Sequence, residues 1–257
     1  MKHNLMPYSK LPTDAAVIYS GPSLIDGKPI VVIAVTTTSN SKTGAVVQTY
    51  IMRADIDPRD ASKTGEDYSI CGNCPLRGTP TDNPKLKVSA ARGCYVVIGH
   101  GVLIVYKSYK RGTVYPTISG HTDIAALGAG KVVRLGTYGD PSAVPGYIWD
   151  SLVSRCARHM GYTHQNTIAS ADVRPDLCMT SADSLADAQA AWARGERTYR
   201  IVENYGQLQL GKEIACPADT KGIQCATCRL CGGTSVAAKS IAIVKHGIGS
   251  KYVNAAV

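Results

Sequence analysis

Apolar and polar positions change rhythm near the middle of the 257-residue chain. Pro29–Val35 is one continuous apolar run and Ala45–Met52 is a second, β-branched one. They predict two buried strands joined across the polar stretch Thr36–Gly44 as a hairpin with a long loop. Residues 1–28, punctuated by Pro7, Pro12, Pro22 and Gly27, read as an irregular arm. Val102–Tyr106 reads as a short strand.

From residue 131 the pattern alternates between strands and amphipathic stretches. Lys131–Thr137 reads as a strand, followed by a helix from about Pro145 with Ile148, Trp149, Leu152, Val153, Cys156 and Met160 on one stripe, stopping at Gly161. Tyr162–Gln165 and Leu177–Ser181 are short strands, and Ser184-x-x-Asp187 caps a helix running through Leu185, Ala188 and Trp192 to Gly195. Residues 198–202, 213–216 and 240–246 supply the last strands. This alternation implies right-handed βαβ units and a parallel sheet, open or curled into a partial or full (β/α) barrel. The expected α/β fold is one domain, with the hairpin and a first cysteine group in 1–130, and the βα units and a second cysteine group in 131–257.

Ligands in such sheets collect at the C-terminal ends of the strands. That edge carries Tyr138, Asp140, His164, Gln165, Asp183, Glu203, Asn204, Cys216 and His246. Asp140 and His164 are the candidate proton-transfer residues, His164 because its ordinary pKa lies near neutrality. Helix capping is the competing role for Asp140 and Asp183. Because Cys216 ends a strand of the same series, its loop is expected to close over the rim where Asp140, His164 and His246 converge.

Nine cysteines add a chemistry. Four of them stand close together as Cys216-Pro217 and Cys225-x-x-Cys228-x-x-Cys231. That spacing favours a [4Fe–4S] cluster, with a four-cysteine Zn2+ site and free or disulfide-bonded thiols as the alternatives. Cys71-x-x-Cys74 and Cys94 form a second set. It would suit a cluster with one open iron, or an ion completed by a histidine such as His100 or His121. Cys156, on the predicted helix stripe, reads as a small apolar filler.

Composition narrows the setting. The chain is 44% hydrophobic and 18% charged, and no apolar run is long enough to span a bilayer. Met1–Pro7 lacks the apolar stretch of a signal peptide, so a cytoplasmic location is expected, where cysteines bind metal in preference to pairing. The net charge of +9 favours a polyanionic partner, nucleic acid or nucleotide. Lys107, Tyr109, Lys110 and Arg111 interleave basic and aromatic side chains as single-strand binders do, with a solvated edge strand as the plainer reading. No Ser/His/Asp triad, phosphate-binding loop or dinucleotide fingerprint occurs, and Ser41–Gly44 and its copy Ser62–Gly65 read as polar turns.

Cys71-x-x-Cys74-Pro75, Gly93-Cys94-Tyr95, Gly136-Thr137-Tyr138-Gly139-Asp140, Tyr162-Thr163-His164-Gln165 and the terminal cysteine run together resemble a group of uncharacterised bacteriophage and prophage proteins, over about residues 66–246. More distantly, the chain is similar to the three-Cys-motif phage proteins, related to radical S-adenosylmethionine barrels. The resemblance implies a barrel-like fold, an iron–sulfur cluster and a phage-encoded protein in the host cytoplasm. The radical-enzyme spacing Cys-x-x-x-Cys-x-x-Cys is absent. The expected function is a phage metalloprotein acting as a redox or radical enzyme; the alternative is a zinc-stabilised nucleic-acid-binding protein of phage replication or host takeover.

Overall fold

The two apolar runs of the first part seed the structure. The computed structural model describes residues 14–36 and 41–253, so Met1–Pro7, the start of the predicted arm and part of the Thr36–Gly44 turn lie outside the described residues. Pro29–Val35 forms β2 and Val46–Arg53 forms β3, antiparallel to each other as the hairpin requires. The segment before them is not irregular throughout, because Ala15–Pro22 forms β1 on the outer edge of β2. Its apolar half, Ala15–Ile18, is buried, whereas Pro22 and Pro29 face each other at the far end. Proline is tolerated on an edge strand, and it is what makes this segment read as a loop.

β3 also pairs in parallel with β4, Val132–Tyr138, and β4 with β5, Arg158–Met160. The hairpin and the βα part of the chain therefore share one five-stranded mixed sheet, β1-β2-β3-β4-β5. Gly161 separates β5 from β6, Tyr162–Thr163, which opens a second sheet. With β7 (Met179–Ala182), β8 (Thr198–Val202), β9 (Glu213–Ala215) and β10 (Ser240–Val244) it is parallel throughout, in the order β6-β7-β8-β10-β9. The α/β class and the parallel strands agree with the sequence. A full barrel does not form among the described residues: the strands make two sheets whose outer members, β1 and β9, do not pair.

Helices α1 (Pro58–Thr64), α2 (Tyr68–Cys71), α3 (Leu103–Lys110), α4 (His121–Gly128), α5 (Gly146–Val153) and α6 (Leu185–Ala193) cover the sheets. α6 starts as its sequence requires, with the Ser184 hydroxyl accepting from the Asp187 amide. α5 is shorter than its apolar stripe, and Met160 belongs to β5 because the chain must turn back to pair with β4. The segment read as a strand at Val102–Tyr106 enters α3, which buries Leu103, Val105 and Tyr106 and leaves Ile104 66% exposed. A short apolar run fits either element, and here packing decides.

The main core lies between the first sheet and its helices, around Ile30, Ile51, Leu135, Trp149 and Leu152. The second sheet has a thinner core, in which Met179, Ile241 and Ile243 pack against Cys216, Leu230 and Cys231 of the C-terminal cysteine loop. It also buries an ion pair. Arg200 of β8 donates from Nε and Nη2 to the two oxygens of Glu213 at 2.9 and 2.6 Å, with side-chain exposures of 2% and 0%. Removing one partner strands a charge in the interior, so Glu213→Ala is expected to cost about 3–5 kcal/mol in urea unfolding. The double variant Arg200→Met/Glu213→Leu should recover most of that loss, and equal losses in the single and double variants would contradict the pairing.

Candidate functional site

The strand ends are shaped by a bulge in β4. Gln48 lies opposite Arg134 and Tyr50 opposite Tyr138, so β4 carries extra residues between these pairs. Thr49 bridges the gap: its hydroxyl donates to the Arg134 carbonyl at 3.1 Å and accepts from the Gly136 amide at 2.8 Å. Gly136 has φ +65°, and a Cβ there would stand 2.5 Å from the Gly139 carbonyl oxygen, so this turn of the chain requires glycine. The bulge delivers Tyr138 and Asp140 to the rim.

Asp140 is buried and fully engaged. Oδ1 accepts from the Ser142 amide and hydroxyl at 3.1 and 2.7 Å, capping the short turn Pro141–Ala143. Oδ2 accepts from the His164 amide at 2.9 Å and from Gln165 Nε2 at 3.0 Å. Gln165, 0% exposed, then reaches the first cysteine pair: Nε2 donates to the Cys71 carbonyl at 2.7 Å and Oε1 accepts from the Asn73 amide at 2.9 Å. Gly72 lies between them at φ +49°, where a Cβ would fall 2.0 Å from Gln165 Oε1. Arg77 braces the same knuckle, donating to the Gly72 carbonyl at 3.0 Å and to Asp67. Asp140 is thus a positioning residue that ties the Cys71–Cys74 turn to the ends of β4 and β6. Sequence reasoning placed Gln165 on the rim without a role; the Cys-Gly-Asn-Cys turn, with a glycine that leaves room for a neighbour, was the available signal.

Together these elements enclose a cavity of about 140 Å³ lined by Cys71, Cys74 and Cys94, by Arg77, Arg92 and Arg134, and by the strand-end residues Tyr138, Asp140, His164 and Asp183. His164 Nε2 lies 3.2 Å from Asp183 Oδ1. Burial works against its imidazolium, but negative charge on the Cys74 sulfur and the Asp183 carboxylate beside the ring hold its pKa well above the ordinary value. Asp183 is free for this because Ser184 caps α6. Neither His100 nor His121 lines the cavity, and His121 instead bonds Ser151 at 2.8 Å. Burial raises the Cys71 thiol well above its ordinary pKa, and Asp67 and the neighbouring Cys74 and Cys94 add to the rise.

The C-terminal cysteines line a second cavity of about 60 Å³, together with His246. Cys216 precedes α7 (Pro217–Thr220), Cys225 and Cys228 open and close α8 (Cys225–Cys228), and Cys231 follows after Arg229 in the left-handed region at φ 58°. The Ser41–Gly44 turn holds this loop in place: the Cys225 and Ala226 amides donate to the Lys42 and Thr43 carbonyls at 3.3 and 2.9 Å. Burial, with Cys216, Cys225 and Cys228 adding to it, pushes the Cys231 thiol up to about 12. Tyr95, Arg134, Tyr162 and Tyr199 line both cavities and form the wall between them. The rim is therefore divided, with Asp140 and His164 on one side of this wall and His246 with the four C-terminal cysteines on the other. Among the described residues, no three or more His, Cys, Asp or Glu side chains are arranged to hold a metal ion.

No protein-family model, curated protein or solved structure matches the chain. Its site is read from its own geometry. The basic segment lies away from both cavities, on α3 and its C-cap: Lys107, Lys110 and the capping Arg111 are exposed, while Tyr109 packs against the core beside Tyr106. No helix of the described residues is long and apolar enough to cross a membrane.

Gln165→Ala would leave the Asn73 amide without a partner and take one donor each from the Cys71 carbonyl, which keeps the Cys74 amide, and from Asp140 Oδ2, which keeps the His164 amide. It is expected to lower stability by about 2–4 kcal/mol and to speed hydrogen exchange at the Asn73 amide. Unchanged protection of that amide would show that the clamp does not hold the knuckle.

Proposed function

We propose that the chain is an iron–sulfur metalloprotein with two thiolate sets. Cys216, Cys225, Cys228 and Cys231 would hold one [4Fe–4S] cluster, and Cys71, Cys74 and Cys94 a second one with an open iron facing the strand-end cavity. The observation that carries this reading is the partition of the cysteines. Seven of them line two adjoining cavities, three in one and four in the other, while Cys156 and Cys178 pack with the hydrophobic core. Thiolates are soft ligands suited to iron–sulfur clusters and to zinc, so the donor chemistry fits; the side chains must still close around the metal.

When bound, such a cluster supplies one-electron chemistry. The protein's own part is to present a substrate at the strand ends. His164 would hold a proton at Nε2 against Asp183, beside Cys74, and the Asp140–Gln165 clamp would keep the knuckle fixed while a substrate enters. A redox or radical enzyme is the activity this arrangement supports best, and the phage setting rests on the sequence resemblance. The nucleic-acid reading has less support, because α3 faces the carboxylates of Asp55 and Asp57, which feel Lys110 and Lys107, and its tyrosines are packed.

Purification without oxygen tests the proposal. Brown protein containing iron and inorganic sulfide is expected. Cys228→Ser should remove one share of the iron, Cys74→Ser the other, and Cys156→Ser none. Colourless protein with stoichiometric zinc, or full iron retention in Cys228→Ser, would contradict it.

A further inference from the structure

Six buried side-chain polar atoms lack a hydrogen-bond partner among the described residues, and four of them, Arg92 Nε, Arg134 Nε, Thr137 Oγ1 and Tyr138 Oη, belong to residues that line the larger cavity. Native proteins leave few such atoms unpaired, and a cluster of them around one space marks groups that await a partner. The chemistry of that partner follows from the donors. A guanidinium nitrogen can only donate, so Arg92 Nε and Arg134 Nε call for an acceptor. Tyr138, 2% exposed, can donate as well.

Charge points the same way. Arg77 has Asp67 as its counter-ion. Arg92 Nη1 donates instead to the Cys94 and Val96 carbonyls at 2.9 and 2.8 Å, and Arg134 Nη2 to the Tyr95 hydroxyl at 2.6 Å. Asp140, the buried carboxylate at this rim, is saturated by Ser142, His164 and Gln165. Both guanidiniums thus hydrogen-bond to neutral partners only, with Asp67 acting on Arg92 from beyond hydrogen-bond reach, and a half-buried charge gains from an opposite charge that joins it. Much of the remaining wall is aromatic and aliphatic, with Tyr95, Tyr162, Tyr199 and Ile201, while the Asp183 carboxylate on it is paired with His164.

We propose that this cavity binds a small organic oxyanion, a carboxylate or a phosphate ester, whose oxygens accept from Arg92, Arg134 and Tyr138 while its apolar part lies against the tyrosine wall. The inference uses the same cavity as the metal reading but rests on the unpaired donors, so it stands or falls separately.

Calorimetric titration of the protein as isolated without oxygen tests it in two arms, inorganic phosphate and adenosine 5′-monophosphate in one, benzoate in the other. Saturable binding in one arm is expected, and the responding arm tells phosphate from carboxylate. Arg134→Met should weaken that binding at least about tenfold. Tyr138→Phe should weaken it by several-fold, yet leave the thermal midpoint without ligand unchanged or higher, because it removes an unpaired hydroxyl. A hydroxyl with a structural role would lower that midpoint. No binding in either arm, or binding indifferent to both variants, overturns the proposal. Loss of iron or a changed visible spectrum in Arg92→Met and Tyr138→Phe, without anion binding by the parent, would assign the donors to the metal centre and also overturn it. Anion binding as expected by a colourless protein would sink the iron reading alone.

Discussion

The site depends on one buried carboxylate. Asp140 accepts four hydrogen bonds, two from Ser142 and one each from the His164 amide and Gln165, and through Gln165 its hold extends to the Cys71 carbonyl and the Asn73 amide. Three segments distant in sequence, the end of β4, the end of β6 and the Cys71–Cys74 turn, are fixed to each other by these contacts. A carboxylate with charge-assisted bonds on both oxygens is a rigid joint, since each donor would be left bare in the interior if it moved. The joint sets where His164 stands and which way the first cysteine pair faces.

Electrostatics at the two cavities follow from burial. Cys71, Cys94 and Cys231 are all disfavoured as thiolates, first by desolvation. Cationic groups stand nearby, Arg92 beside Cys94 and Arg134 beside Cys225, and they offset part of that penalty. Any metal taken up by such thiols would have to displace their protons, so its binding would depend on pH. The shared wall of Tyr95, Arg134, Tyr162 and Tyr199 keeps the two cysteine sets apart while leaving one guanidinium in reach of both cavities.

Much of this was legible in the residues. The β2–β3 runs, the βα rhythm after residue 131, the Ser184 cap and the division of seven cysteines into two groups all follow from periodicity, turn chemistry and spacing. Three features were not legible, each because a distant contact overrides local pattern. β1 is hidden by its terminal Gly21-Pro22 and depends on β2 for its existence. α3 looks like a strand until the core selects the face formed by Leu103, Val105 and Tyr106. Asp140 looks like a proton-transfer group on strand-end position, whereas its four donors, from His164 and Gln165 just after β6 and from Ser142 in the adjoining turn, make it a joint. The wall between the cavities was equally hidden, since Tyr95, Arg134, Tyr162 and Tyr199 carry no common motif.

The proposed function requires two separate metal centres, one on each side of that wall. Anomalous diffraction at the iron absorption edge, from crystals grown without oxygen, addresses it most directly. Two iron peaks are expected, one bordered by the sulfurs of Cys216, Cys225, Cys228 and Cys231 and one by those of Cys71, Cys74 and Cys94, with Arg134 between them. A zinc signal alone, a single iron peak, or disulfide density joining the cysteines of either set would contradict it.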